Sequence, residues 1–202
     1  MDRKDFLVKG TMAAFAVSIF GTTLKAANGS ITGDCDTTND ILGPYYRAKS
    51  PVRADLTYEG LKGTRLLVSG KVFTDDCKTV LKNAAVEVWH CSNESEYDNR
   101  SKEYRHRGQW ITGDDGAYSF KTIVPGKYLN GELYRPAHIH FRVTAPGHKE
   151  LVSQIYFKGD PHITEDPWAS DPKAISRILP ISPLNTHGDL AVIFDIHLQR
   201  TV

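Results

Sequence analysis

The stretch Arg135-Pro136-Ala137-His138-Ile139-His140-Phe141 places two histidines two residues apart. In a β-strand such residues share a face with Cβ atoms roughly 6–7 Å apart, near enough for both imidazoles to reach one metal ion. Ile139, Phe141 and Val143 fall on the opposite face and suit a core. Two imidazoles alone leave a metal unsaturated. A zinc hydrolase would draw a third histidine from His90, His106, His148, His162, His187 or His197, and none of these stands in an H-E-x-x-H frame. A site of two histidines and one carboxylate wants Asp or Glu beside the pair, and no H-x-[DE] occurs. Tyrosine is the other donor. Tyr97, eight residues after Trp89, and Tyr128, in Pro125-Gly126-Lys127-Tyr128, occupy loops that leave strands. Phenolate is a hard anionic ligand, so two tyrosines with two neutral imidazoles would neutralise most of a ferric charge and hold iron oxidised. The plain alternative is a pair of satisfied histidines on a solvated strand.

Short β-rich runs must position these groups. Leu66 to Phe73, Ala85 to Cys91, Ala117 to Ile123, Ala137 to Thr144, Leu151 to Phe157 and Leu190 to Leu198 read as strands. Gly113-Asp114-Asp115-Gly116 leads into one of them, Pro125-Gly126 follows it, and Ala145-Pro146-Gly147 suits a hairpin or meander. Leu190, Val192, Phe194, Ile196 and Leu198 share one face while Asp195 and His197 take the other, the pattern of a half-buried antiparallel strand. The single helical candidate is Asp171 to Leu179, with Pro172 in its first turn and Pro180 as its stop. The expected fold is all-β, an antiparallel β-sandwich with few short helices.

The chain has 202 residues, 40% hydrophobic and 24% charged, which is ordinary composition for one globular domain. Lys and Arg number 25 against 24 Asp and Glu, so nothing in the charge draws nucleic acid or an anionic membrane. Residues 1–27 read as an export signal, with Arg3-Lys4 in front, an apolar Gly10 to Phe20 too short to span a bilayer, and small residues at Ala26-Ala27. Once the signal is removed, no stable membrane insertion is expected. Arg3-Lys4-Asp5-Phe6-Leu7-Val8-Lys9 is similar to a twin-arginine signal with Lys replacing one Arg. Export puts the protein in the periplasm or outside the cell; the alternative is a cytoplasmic protein with an amphipathic N-terminal helix. In an oxidising compartment two of Cys35, Cys77 and Cys91 can pair, in any of three ways. Residues 28–63 form an arm and 64–202 the sandwich.

Five motifs then stand in order: Gly43-Pro44-Tyr45-Tyr46; Asn83 to His90; Asp115 to Thr122 with Pro125 to Tyr128; Arg135 to Phe141; and Gln154 to Pro161. From about Leu42 to Leu198 the chain thereby resembles the intradiol ring-cleaving dioxygenases, the non-haem ferric family that includes protocatechuate 3,4-dioxygenase and catechol 1,2-dioxygenase. The resemblance implies a prealbumin-like sandwich and Fe(III) as the cofactor, with no organic cofactor. Tyr97 and His138 would be equatorial ligands, Tyr128 and His140 axial. Tyr128 would accept a substrate proton, Arg135 would stabilise charge building up on the ring, and Gln154 would line the site. A catechol-type substrate and O2 would give a cis,cis-muconate. The absence of room for an N-terminal helical domain favours a protocatechuate-like substrate, with Arg47, Arg105 and Arg107 as candidate cations for its carboxylate and Gly43-Pro44-Tyr45 reaching the pocket rim. Asn130 stands where an aromatic residue is usual, which leaves catechol and hydroxyquinol open. A homo-oligomer is expected, with a heteromeric partner as the alternative.

Similar sandwiches also serve as non-catalytic binding modules, in which Tyr128 would be a packed edge residue. Fold alone does not separate the two readings, and Tyr97, Arg135, His138 and His140 together favour the enzyme. Trp89, Tyr118 and Phe120 read as core, Asp160-Pro161-His162 as a loop, Arg105-His106-Arg107 as a solvated basic loop, and Cys91 as structural or paired rather than nucleophilic.

Overall fold

The computed structural model describes residues 35–202 and, as backbone, two short strands before them, β1 (Lys25–Ala27) and β2 (Ser30–Thr32). The expected export signal thus lies outside the described residues except for β1. The body is built from β3 (Arg65–Thr74), β4 (Ala85–Trp89), β5 (Arg107–Ile111), β6 (Ala117–Ile123), β7 (Tyr128–Asn130), β8 (Leu133–Arg135), β9 (His138–Thr144), β10 (Leu151–Phe157), β11 (Ile178–Leu179), β12 (Ser182–Pro183), β13 (Leu190–Ile193) and β14 (Ile196–Leu198). One sheet runs β11-β10-β9-β4-β5; the other runs β12-β13-β3-β14 with β6 alongside β3. Their apolar faces meet in the main core, where Phe141 of the first sheet packs edge-on against Phe194, in the break between β13 and β14, ring centres 5.1 Å apart. The fold is the expected all-β sandwich.

Three local expectations change. The final strand alternates as anticipated, with Val192, Phe194, Ile196 and Leu198 buried. It is nevertheless two strands, β13 and β14, and both pair with β3 in parallel. The break has a cause: the Phe194 carbonyl turns toward Gly70, where a Cβ would stand 2.0 Å from its oxygen, and the Tyr118 hydroxyl donates to that oxygen at 2.5 Å. The helical candidate is a 3-10 helix, Pro172–Arg177, capped by the Asp171 carboxylate accepting from Lys173 N. Arg105-His106-Arg107 is not a solvated loop, because His106 and Arg107 are buried and Arg107 opens β5.

The arm packs on the body. Asp40 N donates to Val152 O, Arg53 N to Gln109 O and Leu56 N to Lys121 O, and Leu56 joins the core. Cys35 and Cys77 form a disulfide with Cα atoms 5.9 Å apart, which settles the pairing and leaves Cys91 free and buried. Among the described residues no helix is long and apolar enough to cross a membrane.

Candidate active site

The site is built on the middle strand of the first sheet. Directly opposed residues of antiparallel strands share a face. Trp89, His140 and Gln154 therefore form one row across β4, β9 and β10, and His138 with Tyr156 forms the next. The other face of β9, Ile139, Phe141 and Val143, is buried in the core, as its alternation requires. Both histidines are themselves 1% exposed, so β9 is covered on both faces and is not a solvated strand.

Tyr97 arrives from the loop after β4 and Tyr128 from β7, half of a free-standing hairpin in which Tyr128 pairs with Arg135 and Gly131 turns at φ +68°. The four rings close a circuit. Centre-to-centre distances are 5.7 Å for Tyr97–Tyr128, 5.5 Å for Tyr128–His138, 4.9 Å for His138–His140 and 6.3 Å for Tyr97–His140, and no neighbouring pair is parallel. Flat contacts hold the circuit from outside instead. Trp89 stacks on His140 at 4.8 Å and 5°, and Tyr45 stacks on Tyr97 at 4.3 Å. Trp89 thus does more than fill core, and Tyr45 sits against Tyr97 rather than only at a rim. Gly43, at φ +73°, backs onto His140, where a Cβ would stand 3.0 Å from Cε1.

The donor set suits a hard, highly charged metal ion. His138 Nδ1 lies 2.7 Å from the Pro136 carbonyl, which only accepts, so the ring proton is on Nδ1 and the Nε2 lone pair is free. That Nε2 faces the Tyr97 hydroxyl at 3.4 Å, a long contact, and His140 Nδ1 is buried with no partner. Burial holds His138 neutral, down to about 3, and pushes His140 well down as well. Burial also raises Tyr97 well above the usual phenol range; it raises Tyr128 too, although Arg135 pulls that phenol back down. Phenols so raised ionise only against a strong cation, while neutral imidazoles are ready ligands. Among the described residues no three His, Cys, Asp or Glu gather as metal donors, so any such ion depends on the tyrosines.

Beside the ring circuit lies a second polar cluster, densely hydrogen-bonded. Arg135 Nε donates to Asp166 at 2.7 Å, its Nη2 donates to Gln154 Oε1 and the Tyr156 hydroxyl, and its guanidinium lies 4.4 Å from the Trp168 ring centre. Gln154 Nε2 donates to Ile41 O and Asp40, the Tyr156 hydroxyl donates to Asp40, and Arg177 pairs with Asp40 at 2.5 Å. Gln154 accordingly holds Arg135 and the arm.

Asp40, Tyr156, Asp166, Trp168 and Arg177 escaped sequence reasoning. Only Tyr156 carried a signal, since it lies two residues after Gln154 on one strand face. The other expected residues settle elsewhere. His162 touches Lys127 Nζ at 2.8 Å on the hairpin's outer side. The Cys91 thiol donates to Gly126 O and is pushed up to about 12 by burial, which suits a structural thiol. Arg47 and Arg107 both donate to the Asp98 carbonyl, and Arg105 lies exposed over Tyr58.

The sequence profile described as Dioxygenase matches residues 41–200. The chain is 32% identical over 167 residues to chlorocatechol 1,2-dioxygenase of Cupriavidus pinatubonensis, covering 73% of this chain and 64% of that protein. It is 37% identical over 150 residues to catechol 1,2-dioxygenase 2 of Acinetobacter lwoffii, covering 64% and 54%. The chain therefore spans about half to two thirds of these relatives. Among solved structures, the dioxygenase domain of a dioxygenase carbohydrate-binding protein fusion from Streptomyces sp. SirexAA-E superposes with a TM-score of 0.72 at 31% identity, covering 82% of this chain and 99% of that one.

Proposed function

The chain belongs to the intradiol ring-cleaving dioxygenases, and on that premise we propose that it opens a catechol-type ring between the two hydroxylated carbons with O2, using a ferric ion held by Tyr97, Tyr128, His138 and His140. The observation that carries this reading is the closed circuit of two phenols and two neutral imidazoles, buried together without a carboxylate. Bound there, the ion would serve as Lewis acid and electron sink for the catechol.

The chain's own residues do the rest. Pro136 O fixes the tautomer of His138, and Trp89 and Gly43 fix the plane of His140. Tyr128, half-buried on its hairpin, would as the phenolate take a substrate proton at Oη. Arg135 stays cationic, because against the effect of burial Asp166, Tyr156 and Tyr128 together raise it, and it stands where negative charge on the ring needs a partner.

We place an uncharged catechol ahead of the protocatechuate-like substrate expected from chain length. A buried ring carboxylate needs a buried cation; Arg47 is engaged by the Asp98 loop and Arg105 is exposed, which leaves of the three only Arg107, held by that loop through Nε and Nη2 with Nη1 buried and unpaired. The disulfide accords with export to an oxidising compartment.

The test is a visible spectrum of the purified protein with iron measured on the same sample, before and after anaerobic catechol, hydroxyquinol or protocatechuate. A phenolate-to-iron band at about one iron per chain, shifting with catechol, is the expected result. A colourless protein without iron after reconstitution would favour a binding module instead.

A further inference from the structure

We propose that Asp166 is a positioning residue of this site: its carboxylate fixes the Arg135 guanidinium through Nε so that the cation stands beside Tyr128. The proposal rests on the functional reading above and extends it to a residue that makes no contact with the four ligands.

Asp166 is 1% exposed and divides its two oxygens between two tasks. Oδ2 accepts from Arg135 Nε at 2.7 Å. Oδ1 accepts from Trp168 N at 3.0 Å and Ala169 N at 2.7 Å, which folds the loop so that Trp168 covers the flat of the same guanidinium. One carboxylate thereby sets the edge and, through Trp168, the face of Arg135. The remaining partners are neutral and already oriented. The Tyr156 proton goes to Asp40, leaving its lone pairs for Arg135 Nη2, and both amide hydrogens of Gln154 go to the arm, leaving Oε1 for the same nitrogen. Asp166 is the one carboxylate that touches Arg135 among the described residues. An amide cannot replace it, because Asn has a single carbonyl oxygen and its NH2 would face either Arg135 Nε or the two backbone N–H groups.

A double-mutant cycle in the iron-loaded full chain tests this, with Asp166→Asn, Arg135→Gln and the pair, read as kcat and KM for catechol, iron content and the visible band. Asp166→Asn should lower kcat about 100-fold with iron retained, since misplacing a charge by about 1 Å costs that much, and should shift the band. In the Arg135→Gln background it should change kcat by no more than about twofold. The same loss in both backgrounds, or unchanged kcat at full iron, would overturn the proposal. Should the Asn variant fail to fold, Asp166→Glu keeps the buried charge and displaces it by a methylene; lowered kcat at full iron supports the proposal and unchanged kcat overturns it. Wild-type protein without iron or band would defeat the functional reading itself, an outcome distinct from either.

Discussion

Two buried polar regions lie side by side on β9 and β10, and they meet the cost of burial in opposite ways. The cluster around Arg135 is closed: two arginines face two aspartates, and Gln154 and Tyr156 bridge Arg135 to Asp40. The circuit of Tyr97, Tyr128, His138 and His140 is open, with one long polar contact inside it and an unpartnered nitrogen at its edge. Buried polar atoms are ordinarily paired, so an open cluster braced by a closed one is the mark of a place prepared for something from outside. Scaffold and reagent are separated by one row of side chains.

The sharpest break is at the open region. His138→Ala or His140→Ala should lower iron content at least about tenfold while the urea midpoint stays near wild type, because the core lies on the other face of β9; loss of fold with iron retained would contradict the placement. Tyr97→Phe should shift or bleach the visible band and abolish most turnover, and an unchanged spectrum would remove Tyr97 from the ligands. In the closed region, Asp40→Asn leaves Arg177 without its carboxylate and should cost about 3–5 kcal/mol of stability, measured by urea denaturation; a cost below about 1 kcal/mol would mean the pair is solvated. Away from both regions, Cys35→Ser with Cys77→Ser should cost at most about 4 kcal/mol, the chain-entropy value for the loop it closes, with the visible band unmoved.

The smallest expected effect is a pH slope. Burial lowers His90 to about 3 and His106 to about 4. The unfolded chain takes up these protons near pH 6.5 and the folded one does not, so their contribution is complete above that pH and is lost as pH falls toward 4 and 3. Between pH 7.5 and 5.5 the loss should be about 1.4 kcal/mol for each histidine. His106→Asn should flatten part of that slope; an identical slope in the variant would remove His106 from the account.

What was legible in the sequence was local. β6 and β10 agree to the residue with the strands read from alternation, because turn residues bracket them. β5 was not legible. Arg107-Gly108-Gln109 shows no apolar alternation, and Gly108 is there because a Cβ would stand 2.5 Å from Leu56 Cδ2. The ring circuit was readable because His138 and His140 share one strand, Tyr128 ends an ordered motif and Tyr97 lies in the loop eight residues after Trp89. The closed cluster was not, since Asp166 is 31 residues from Arg135 and Asp40 is 137 from Arg177, distances at which no periodicity speaks.

The arm's crosslink reaches further than stability. Cys35 precedes Asp40 by five residues and Gly43 by eight, so the bridge to Cys77 tethers both the carboxylate that pairs Arg177 and the glycine that backs His140. A tethered segment that lifts off returns at a high effective concentration, whereas an untethered one depends on its own contacts. Without the bridge, the eight residues from Cys35 to Gly43 would be held on the body by their own hydrogen bonds and ion pairs alone.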